Sequence, residues 1–228
     1  MKRKPIAVLL LLLLPIMTDC EKDQGTQEPL TITDFDGNRY KTVQIGDQLW
    51  MAENLKTTKY NDGKAIPWVT DNEIWNNLNT PAYCWYNNDE TTYKNTYGAL
   101  YNWYAVNTDK LCPMGWHVPT NNEWSTLIDY LGDVRNAGGK LKETGTIHWN
   151  SPNTGADNET GFTALPGGSR DDGGTFYGMG DIGLWWSSTE FETNELGAWG
   201  SDVDFGTSGV YIYGNGKYRG RSVRCIKD

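Results

Sequence analysis

The sequence predicts an α+β fold in which two helices pack on small antiparallel sheets joined by long glycine-rich loops. Two segments near the middle carry apolar residues at helical spacing, and strand-like patterns precede and follow them. Many of the 26 glycines fall between residues 138 and 183, which leaves little room there for long elements. A globular part of about two hundred residues suits one domain with its own core.

The N-terminal segment predicts an export signal rather than part of the fold. Basic residues at 2–4 precede an apolar run at 6–16, which is too short for a comfortable membrane anchor. The run leads to Cys20, which resembles the lipid-acceptor cysteine of a bacterial lipoprotein, although Asp19 departs from the small residue usual before it. The alternative is an ordinary secreted protein cut nearby. We expect a signal peptide at 1–19, lipidation at Cys20, a tether at 20–30 and a single domain at 31–228.

The expected location is the bacterial cell envelope, as an outer-membrane lipoprotein with possible surface exposure. The net charge of −9 argues against a nucleic-acid partner, because a phosphate backbone selects basic surfaces. The expected partners are the membrane, through the lipid anchor, and a polysaccharide or a surface protein.

The first elements of the domain are predicted to be hairpins between residues 30 and 55. Asp36-Gly37-Asn38 and Gly46-Asp47 supply turn residues between the strand-like segments. Asp34, Asp36 and Asn38 also alternate like the first ligands of an EF-hand loop. The twelfth position of that loop is Ile45, which cannot supply the bidentate carboxylate, so a hairpin turn is the preferred interpretation.

The two helices are predicted at residues 96–106 and 121–131. The first rests on the spacing of Tyr97, Leu100, Tyr101 and Tyr104. The second begins at Thr120, which forms a capping box with Glu123, and its apolar face follows from Trp124, Leu127, Ile128 and Leu131. After a glycine-rich loop region, a C-terminal meander is expected from strands beginning at Trp185 and at 197–205, 210–213 and 222–226.

The cysteines of the globular part are Cys84, Cys112 and Cys225, and an exported chain can keep a disulfide. We expect Cys112 to pair with Cys225, because both sit in strand-like segments and the bridge would tie the end of the chain to its centre. Cys84 would then be a buried free thiol. Pairing of Cys84 with Cys112 remains the alternative.

Aromatic usage predicts the ligand-contacting residues. The chain has 11 tryptophans and 13 tyrosines against 5 phenylalanines, and rings with a polar edge suit half-buried positions. Exposed flat rings would bind the apolar faces of sugars, so we expect contacts from Trp85, Tyr86, Trp149, Tyr177, Trp185 and Trp186. The alternative is that most of these rings belong to the core.

Calcium is a possible cofactor, because acidic loops can supply the oxygen ligands that this ion accepts. The candidate ligands are Asp157, Glu159, Asp171, Asp172 and Asp181, although such loops often only form turns. His117 and His148 are the only histidines, too few for a zinc site, and a structural role is preferred for His117. No catalytic residue is predicted.

Four ordered blocks carry a family resemblance: 44–55, 97–103, 112–120 and 222–228. They resemble the Fibrobacter succinogenes major paralogous domain, which implies an extracytoplasmic domain, often on lipoproteins, without an established role. A more distant resemblance, to the formylglycine-generating sulfatase-modifying group and the C-type lectin-like fold, rests on residues 118–124 and on Arg224-Cys225. That resemblance implies a C-type lectin-like, sulfatase-modifying-factor-like architecture. The related oxidase uses a close cysteine pair, and this chain has no cysteine between Cys112 and Cys225, so the catalysis is not expected to carry over.

Three functions are therefore weighed. The first is a surface-tethered module that binds glycans or another extracellular ligand, and a row of exposed rings in a groove would favour it. The second is a structural or adhesive surface protein, which full burial of the tryptophans would favour. The third and weakest is a hydrolytic enzyme, which would require two carboxylates facing each other across a cleft.

Overall fold

The computed structural model describes residues 30–192 and 197–228. The predicted signal peptide, Cys20 and the tether before Leu30 lie outside the described residues. Within the described part, no helix has both the length and the apolar character that a membrane crossing requires.

Twelve strands are present in the described part of the chain. They are β1 (Thr31–Thr33), β2 (Arg39–Ile45), β3 (Gln48–Met51), β4 (Tyr83–Cys84), β5 (Leu100–Tyr101), β6 (Trp116–His117), β7 (Gly167–Arg170), β8 (Phe176–Met179), β9 (Ile182–Glu190), β10 (Gly197–Asp204), β11 (Val210–Gly216) and β12 (Ile226–Lys227).

Five short α-helices accompany these strands in the same residues. They are α1 (Asn72–Asn76), α2 (Glu90–Tyr97), α3 (Trp103–Val106), α4 (Asn121–Tyr130) and α5 (Ala137–Leu141), with one 3-10 turn at Tyr86–Asn88.

The strands form four antiparallel sheets. The largest has the order β1-β2-β3-β12-β6, so the last strand of the chain lies between the N-terminal hairpin and a strand from the middle. A second sheet has the order β11-β10-β9, and β4-β5 and β7-β8 are two-stranded. Among the described residues 32% are strand and 18% are helix. The predicted α+β arrangement of two helices is therefore wrong: the domain is mostly β with five small helices.

The first predicted helix fails at a glycine. Helix α2 ends at Tyr97, and Gly98 follows with a φ of 75°, where a side chain would be strained. A Cβ there would lie 2.7 Å from the carbonyl oxygen of Leu55, so the backbone at Leu55 leaves no room for a side chain at position 98. Leu100 and Tyr101 then form β5 and are buried as a strand pair, although their spacing matches a helix.

The second predicted helix and the hairpins are confirmed. Thr120 accepts from the backbone N–H of Glu123, and the Glu123 carboxylate accepts from the backbone N–H of Thr120 at 2.7 Å. Trp124, Leu127 and Ile128 are buried on the inner face of α4. Strands β2 and β3 pair around Gly46-Asp47, as the turn residues predict.

The predicted disulfide between Cys112 and Cys225 is confirmed, with its Cα atoms 6.0 Å apart. Cys225 immediately precedes β12, and Cys112 lies four residues before β6. The two strands pair with each other through Ile226 and His117. Cys84 is a buried free thiol, and its burial raises its pKa to about 12.

The core is unusual because cationic side chains lie inside it. Arg170 stacks on Trp75, 4.4 Å from the ring centroid, and Arg224 stacks on Phe162 at 4.0 Å. Both guanidinium groups are fully buried and bind mainly carbonyl and amide oxygens. Lys142 is likewise buried and donates to three backbone carbonyls at 2.7–2.9 Å. The described residues thus hold their own apolar clusters, disulfide and polar network, as a self-contained folding unit does.

Candidate functional site

Most of the aromatic residues predicted to contact a ligand lie in the interior. Trp85, Tyr86, Trp149, Trp185 and Trp186 are all buried, with exposed fractions between 0% and 8%. Their expected exposure is therefore wrong, because the indole N–H groups of Trp149, Trp185 and Trp186 find acceptors within the protein instead of water. For example, the indole N–H of Trp149 donates to the carbonyl of Ala164 at 3.0 Å, and that of Trp186 to the carbonyl of Tyr101 at 2.8 Å.

Tyr177 is the exception among these predicted contacts. Its side chain is half-buried on β8, and its hydroxyl accepts a hydrogen bond from Arg219 at 3.2 Å.

The predicted calcium ligands are not brought together. Asp157 and Asp171 each accept a backbone N–H within their own turns, from Glu159 and Thr175 respectively. Asp181 accepts from the Asn150 amide, Glu159 pairs with Lys140, and Asp172 is exposed. Within residues 30–192 and 197–228, no group of three or more His, Cys, Asp or Glu side chains could hold a metal ion.

Only two of the eleven tryptophans reach solvent. Nine are buried, namely Trp50, Trp75, Trp85, Trp103, Trp116, Trp124, Trp149, Trp185 and Trp186. Trp68 is 49% exposed, and Trp199 is partly exposed. A ligand that stacks on tryptophan therefore has these two rings available.

Trp199 lines a surface cavity of about 400 Å³ together with polar side chains. We call this cavity the Trp199 groove; its lining residues are Asn121, Asn122, Thr189, Phe191, Glu192 and Trp199. The volume falls within the range of small-molecule sites.

A glycine and a ring contact position the aromatic side of the groove. Trp199 lies on β10 opposite Gly214 of β11. Because Gly214 has no Cβ, the Phe191 ring can lie against its backbone; a Cβ there would meet that ring at 2.9 Å. Phe191 thereby stands edge-on to Trp199, with 4.7 Å between the ring centroids and 69° between the planes. The indole is held in one orientation while part of its surface stays accessible.

The start of α4 supplies the polar side of the groove. The backbone N–H of Asn121 donates to Thr189 Oγ1 at 2.9 Å, and the backbone N–H of Ser188 donates to the carbonyl of Pro119 at 2.9 Å. These two bonds fix the helix start against the end of β9. The capping box at Thr120 therefore also determines where the side chains of Asn121 and Asn122 lie.

The polar side chains of the groove have free hydrogen-bonding capacity. Asn121 Oδ1 is buried without a partner among the described residues. Asn122 and Glu192 are exposed, and neither side chain bonds to another described residue. The amides offer donors and acceptors, and the carboxylate can accept from two hydroxyls at once. The groove thus combines an accessible ring with unsatisfied polar groups that suit a polyhydroxylated ligand.

A smaller cavity of about 210 Å³ is lined by His117, Thr120 and Ser188, among other residues. The His117 ring bridges two carboxylates: Nδ1 lies 2.6 Å from Asp228 Oδ1, and Nε2 lies 2.8 Å from Glu123 Oε1. Burial alone would lower the pKa of His117, but the two carboxylates outweigh burial and raise it. Burial would raise the pKa of Glu123, but bonds from Thr120 and His117 lower it. With both nitrogens engaged, His117 acts as a bridge between α4 and the last residues of the sheet. The second histidine, His148, pairs with Glu143 at 2.8 Å.

The sequence prediction missed the residues of the Trp199 groove. The partnership between Trp199 and Asn121 joins positions far apart in the chain, and no local pattern predicts it.

Comparison with known proteins supports the family expected from the sequence blocks. The model of the Fibrobacter succinogenes major domain matches residues 43–227, which is most of the chain. No curated protein and no solved structure matches it. Since the match covers every strand from β3 to β12, α4, the disulfide and the Trp199 groove, the chain belongs to the Fibrobacter succinogenes major domain family.

Proposed function

We propose that this chain is an exported lipoprotein domain that binds glycans through the Trp199 groove. The role is one of binding rather than catalysis. The proposal keeps the glycan ligand predicted from aromatic usage but moves it to a ring that the structure leaves accessible.

The observation that carries the proposal is the partly exposed Trp199 ring beside free amide and carboxylate groups. A pyranose ring has an apolar C–H face and a rim of hydroxyls. The C–H face can pack on the indole, while Asn121, Asn122 and Glu192 exchange hydrogen bonds with the hydroxyls. Trp68, the other exposed tryptophan, does not line the Trp199 groove.

A glycan array with the domain from Leu30 onward tests the proposal, and Trp68→Ala is the matched control. Trp199→Ala is expected to weaken any glycan found on the array roughly tenfold, the change produced by losing about 1.4 kcal/mol of ring contact. Asn122→Ala is expected to weaken it as well and to leave the fold intact, because that side chain is exposed. Trp68→Ala is expected to bind like the wild type. Equal binding by Trp199→Ala and the wild type would contradict the groove assignment.

Export and lipid attachment at Cys20 form a separate part of the proposal. They are supported by the basic and apolar leader that ends at that cysteine. Metabolic labelling with a palmitate analogue is expected to mark the wild type and to spare Cys20→Ala. Labelling of both proteins to the same degree would refute lipidation at this residue.

A structural or adhesive role is the second candidate, and burial of nine tryptophans favours it. In that case the aromatic residues only stabilise the core, and no glycan on the array is bound. Deletion of the gene would then change cell adhesion, and complementation with Trp199→Ala would restore it fully. Failure of Trp199→Ala to complement would favour the groove instead.

A further inference from the structure

The charged side chains of the Trp199 groove are of one sign. Glu192 is the only acidic or basic residue among those that line it. Its side chain is exposed, and no lysine or arginine within residues 30–192 and 197–228 pairs with it. The next four residues, 193–196, read Thr-Asn-Glu-Leu and contain no cationic residue either. The groove therefore carries a carboxylate for which the neighbouring chain supplies no counter-ion.

The cationic side chains of the surrounding segments are engaged with other groups. Lys217 follows β11, is buried, pairs with Glu190 and lies 4.8 Å from the centroid of the Trp103 ring. His117 lies between two other carboxylates, as described above. Neither group neutralises Glu192.

The uncharged groups of the groove also favour a donor. Asn121 Oδ1 is a buried acceptor without a partner among the described residues, and a buried acceptor left unpaired costs free energy. The face of the Trp199 indole attracts positive charge through its quadrupole. Six buried tryptophans of this chain have a lysine or arginine over the ring, whereas no cation of the described residues lies over Trp199. A ligand that brings its own cation matches all three groups.

We infer that the Trp199 groove selects amino sugars, glycans whose units carry a protonated amine. The inference rests on the proposed function and names the ligand class of the same groove. The C–H face of the sugar packs on Trp199, and the ammonium group projects from the rim of that sugar ring. An ammonium has three donors and no acceptor, so it can donate to the Glu192 carboxylate and to Asn121 Oδ1 together.

The same charges disfavour the other classes of glycan. Uronic acids and sulfated sugars would bring a negative charge to Glu192 on a chain whose net charge is already −9. A neutral hexose can donate hydroxyl groups but leaves the carboxylate without a counter-charge. An acetamido group has one N–H donor and no charge. The expected order of affinity is therefore amine first, then hydroxyl and acetamide, then acid.

Calorimetric titration tests the inference with the domain from Leu30 onward. The probes are oligomers of glucosamine, of N-acetylglucosamine and of glucose that share one length and one linkage and differ only at carbon 2. Glucosamine oligomers are expected to bind roughly tenfold more tightly than glucose oligomers, through an exposed ion pair and the contact with the indole. That advantage is expected to shrink as salt is added, because the ion pair lies at the surface.

Two matched glutamate variants separate the groove from the net charge of the chain. Glu192→Gln keeps the size of the side chain and removes its charge, so it is expected to bind glucosamine and glucose oligomers alike. Glu73 is also exposed, has no described partner for its side chain and does not line the groove. Glu73→Gln changes the net charge equally and is expected to keep the tenfold preference. Unchanged urea midpoints in both variants would show that folding is intact.

The outcomes distinguish this inference from the proposed function. Glucose or N-acetylglucosamine oligomers that bind as tightly as glucosamine oligomers, with the binding lost in Trp199→Ala, would overturn the amino-sugar class and leave the glycan groove in place. Equal loss of the preference in Glu73→Gln and Glu192→Gln would reveal a general charge effect and would also overturn it. If no oligomer shows binding that depends on Trp199, the inference and the proposed function both fail.

Discussion

Replacing Trp85 and Trp149 by phenylalanine should have different effects on stability, although the two rings are matched in most respects. Both are fully buried, and each has a lysine ammonium over its face, Lys94 at 5.2 Å and Lys142 at 5.5 Å from the centroid. They differ at the indole nitrogen. Trp149 Nε1 donates to the carbonyl of Ala164 at 3.0 Å, whereas Trp85 Nε1 is buried and has no partner within residues 30–192 and 197–228.

The expected magnitudes follow from that difference. Both substitutions remove the same atoms and share a large-to-small cost on the order of 1–2 kcal/mol. Trp149→Phe also loses a hydrogen bond, which adds about 1 kcal/mol to the cost. The added cost is no larger because the carbonyl of Ala164 keeps one donor, the backbone N–H of Glu143. Trp85→Phe removes an unpaired donor and recovers about 1–3 kcal/mol of its desolvation cost. Trp149→Phe should therefore destabilise the domain by about 2 kcal/mol or more relative to Trp85→Phe.

Urea unfolding with the disulfide intact measures both values, and the m-values check that unfolding exposes the same surface. The alanine variants serve as controls. Trp85→Ala and Trp149→Ala should each cost about 3–5 kcal/mol, since both rings are core residues. A Trp85→Phe variant that costs as much free energy of unfolding as Trp149→Phe would refute the assignment of an unpaired indole N–H.

Three further predictions concern the bridges of the fold. Replacing Cys112 and Cys225 together by serine should lower the free energy of unfolding by about 5 kcal/mol in the chain-entropy model, because the bridge closes a loop with a sequence separation of 113; an unchanged guanidinium midpoint would contradict it. Thr120→Ala should cost about 1 kcal/mol through loss of the N-cap, measured by the same unfolding curves, and a cost near zero would show that the cap is dispensable. The raised pKa of His117 stabilises the fold fully below pH 6.5 and less as the pH rises through the raised value. The lowered pKa of Glu123 stabilises the fold above pH 4.5 and less as the pH falls through the lowered value. The stability difference between wild type and His117→Gln should therefore be largest between pH 4.5 and 6.5, and a difference that does not change with pH would contradict the bridge.

Local chemistry predicted those parts of the fold that depend on neighbours in sequence. The capping box at Thr120, the hairpin turn at Gly46 and the inner face of α4 all follow from a few adjacent residues, and all are confirmed. The helix predicted around Gly98 is wrong. The apolar residues do recur at helical spacing, but Gly98 has a positive φ that ends the helix before them. Leu55 comes within reach of that glycine only in the folded chain, so no pattern in the sequence reveals the close approach.

The prediction of exposed aromatic residues failed because it assumed that the chain would not supply a partner for every buried indole N–H group. In the folded chain, the indole N–H of Trp185 donates to Asn54 Oδ1 at 2.8 Å and that of Trp103 donates to the carbonyl of Ser187 at 3.0 Å. These partners lie 131 and 84 positions away in sequence. A count of aromatic residues contains no information about such distant acceptors, so it overestimates how many rings remain at the surface.

The buried cations of the core help to explain why most of the tryptophans lie in the interior and few are exposed. Buried cations require an environment that compensates for lost water, and an indole face provides it because its quadrupole attracts a positive charge. Arg170 lies between Trp75 and Phe176, and Arg224 lies against Trp185, so each ring serves as part of a cation's solvation. If such a ring lay at the surface, its cation would be exposed to water or would lose the contact that compensates for its burial. Among the described residues, Trp199 has no such cation, and its ring partner is Phe191. Six of the nine buried tryptophans have a lysine or arginine over the ring, whereas Trp50, Trp116 and Trp124 are buried with no such cation among the described residues. Cation–π contacts therefore account for the position of most, but not all, of the tryptophans inside the fold.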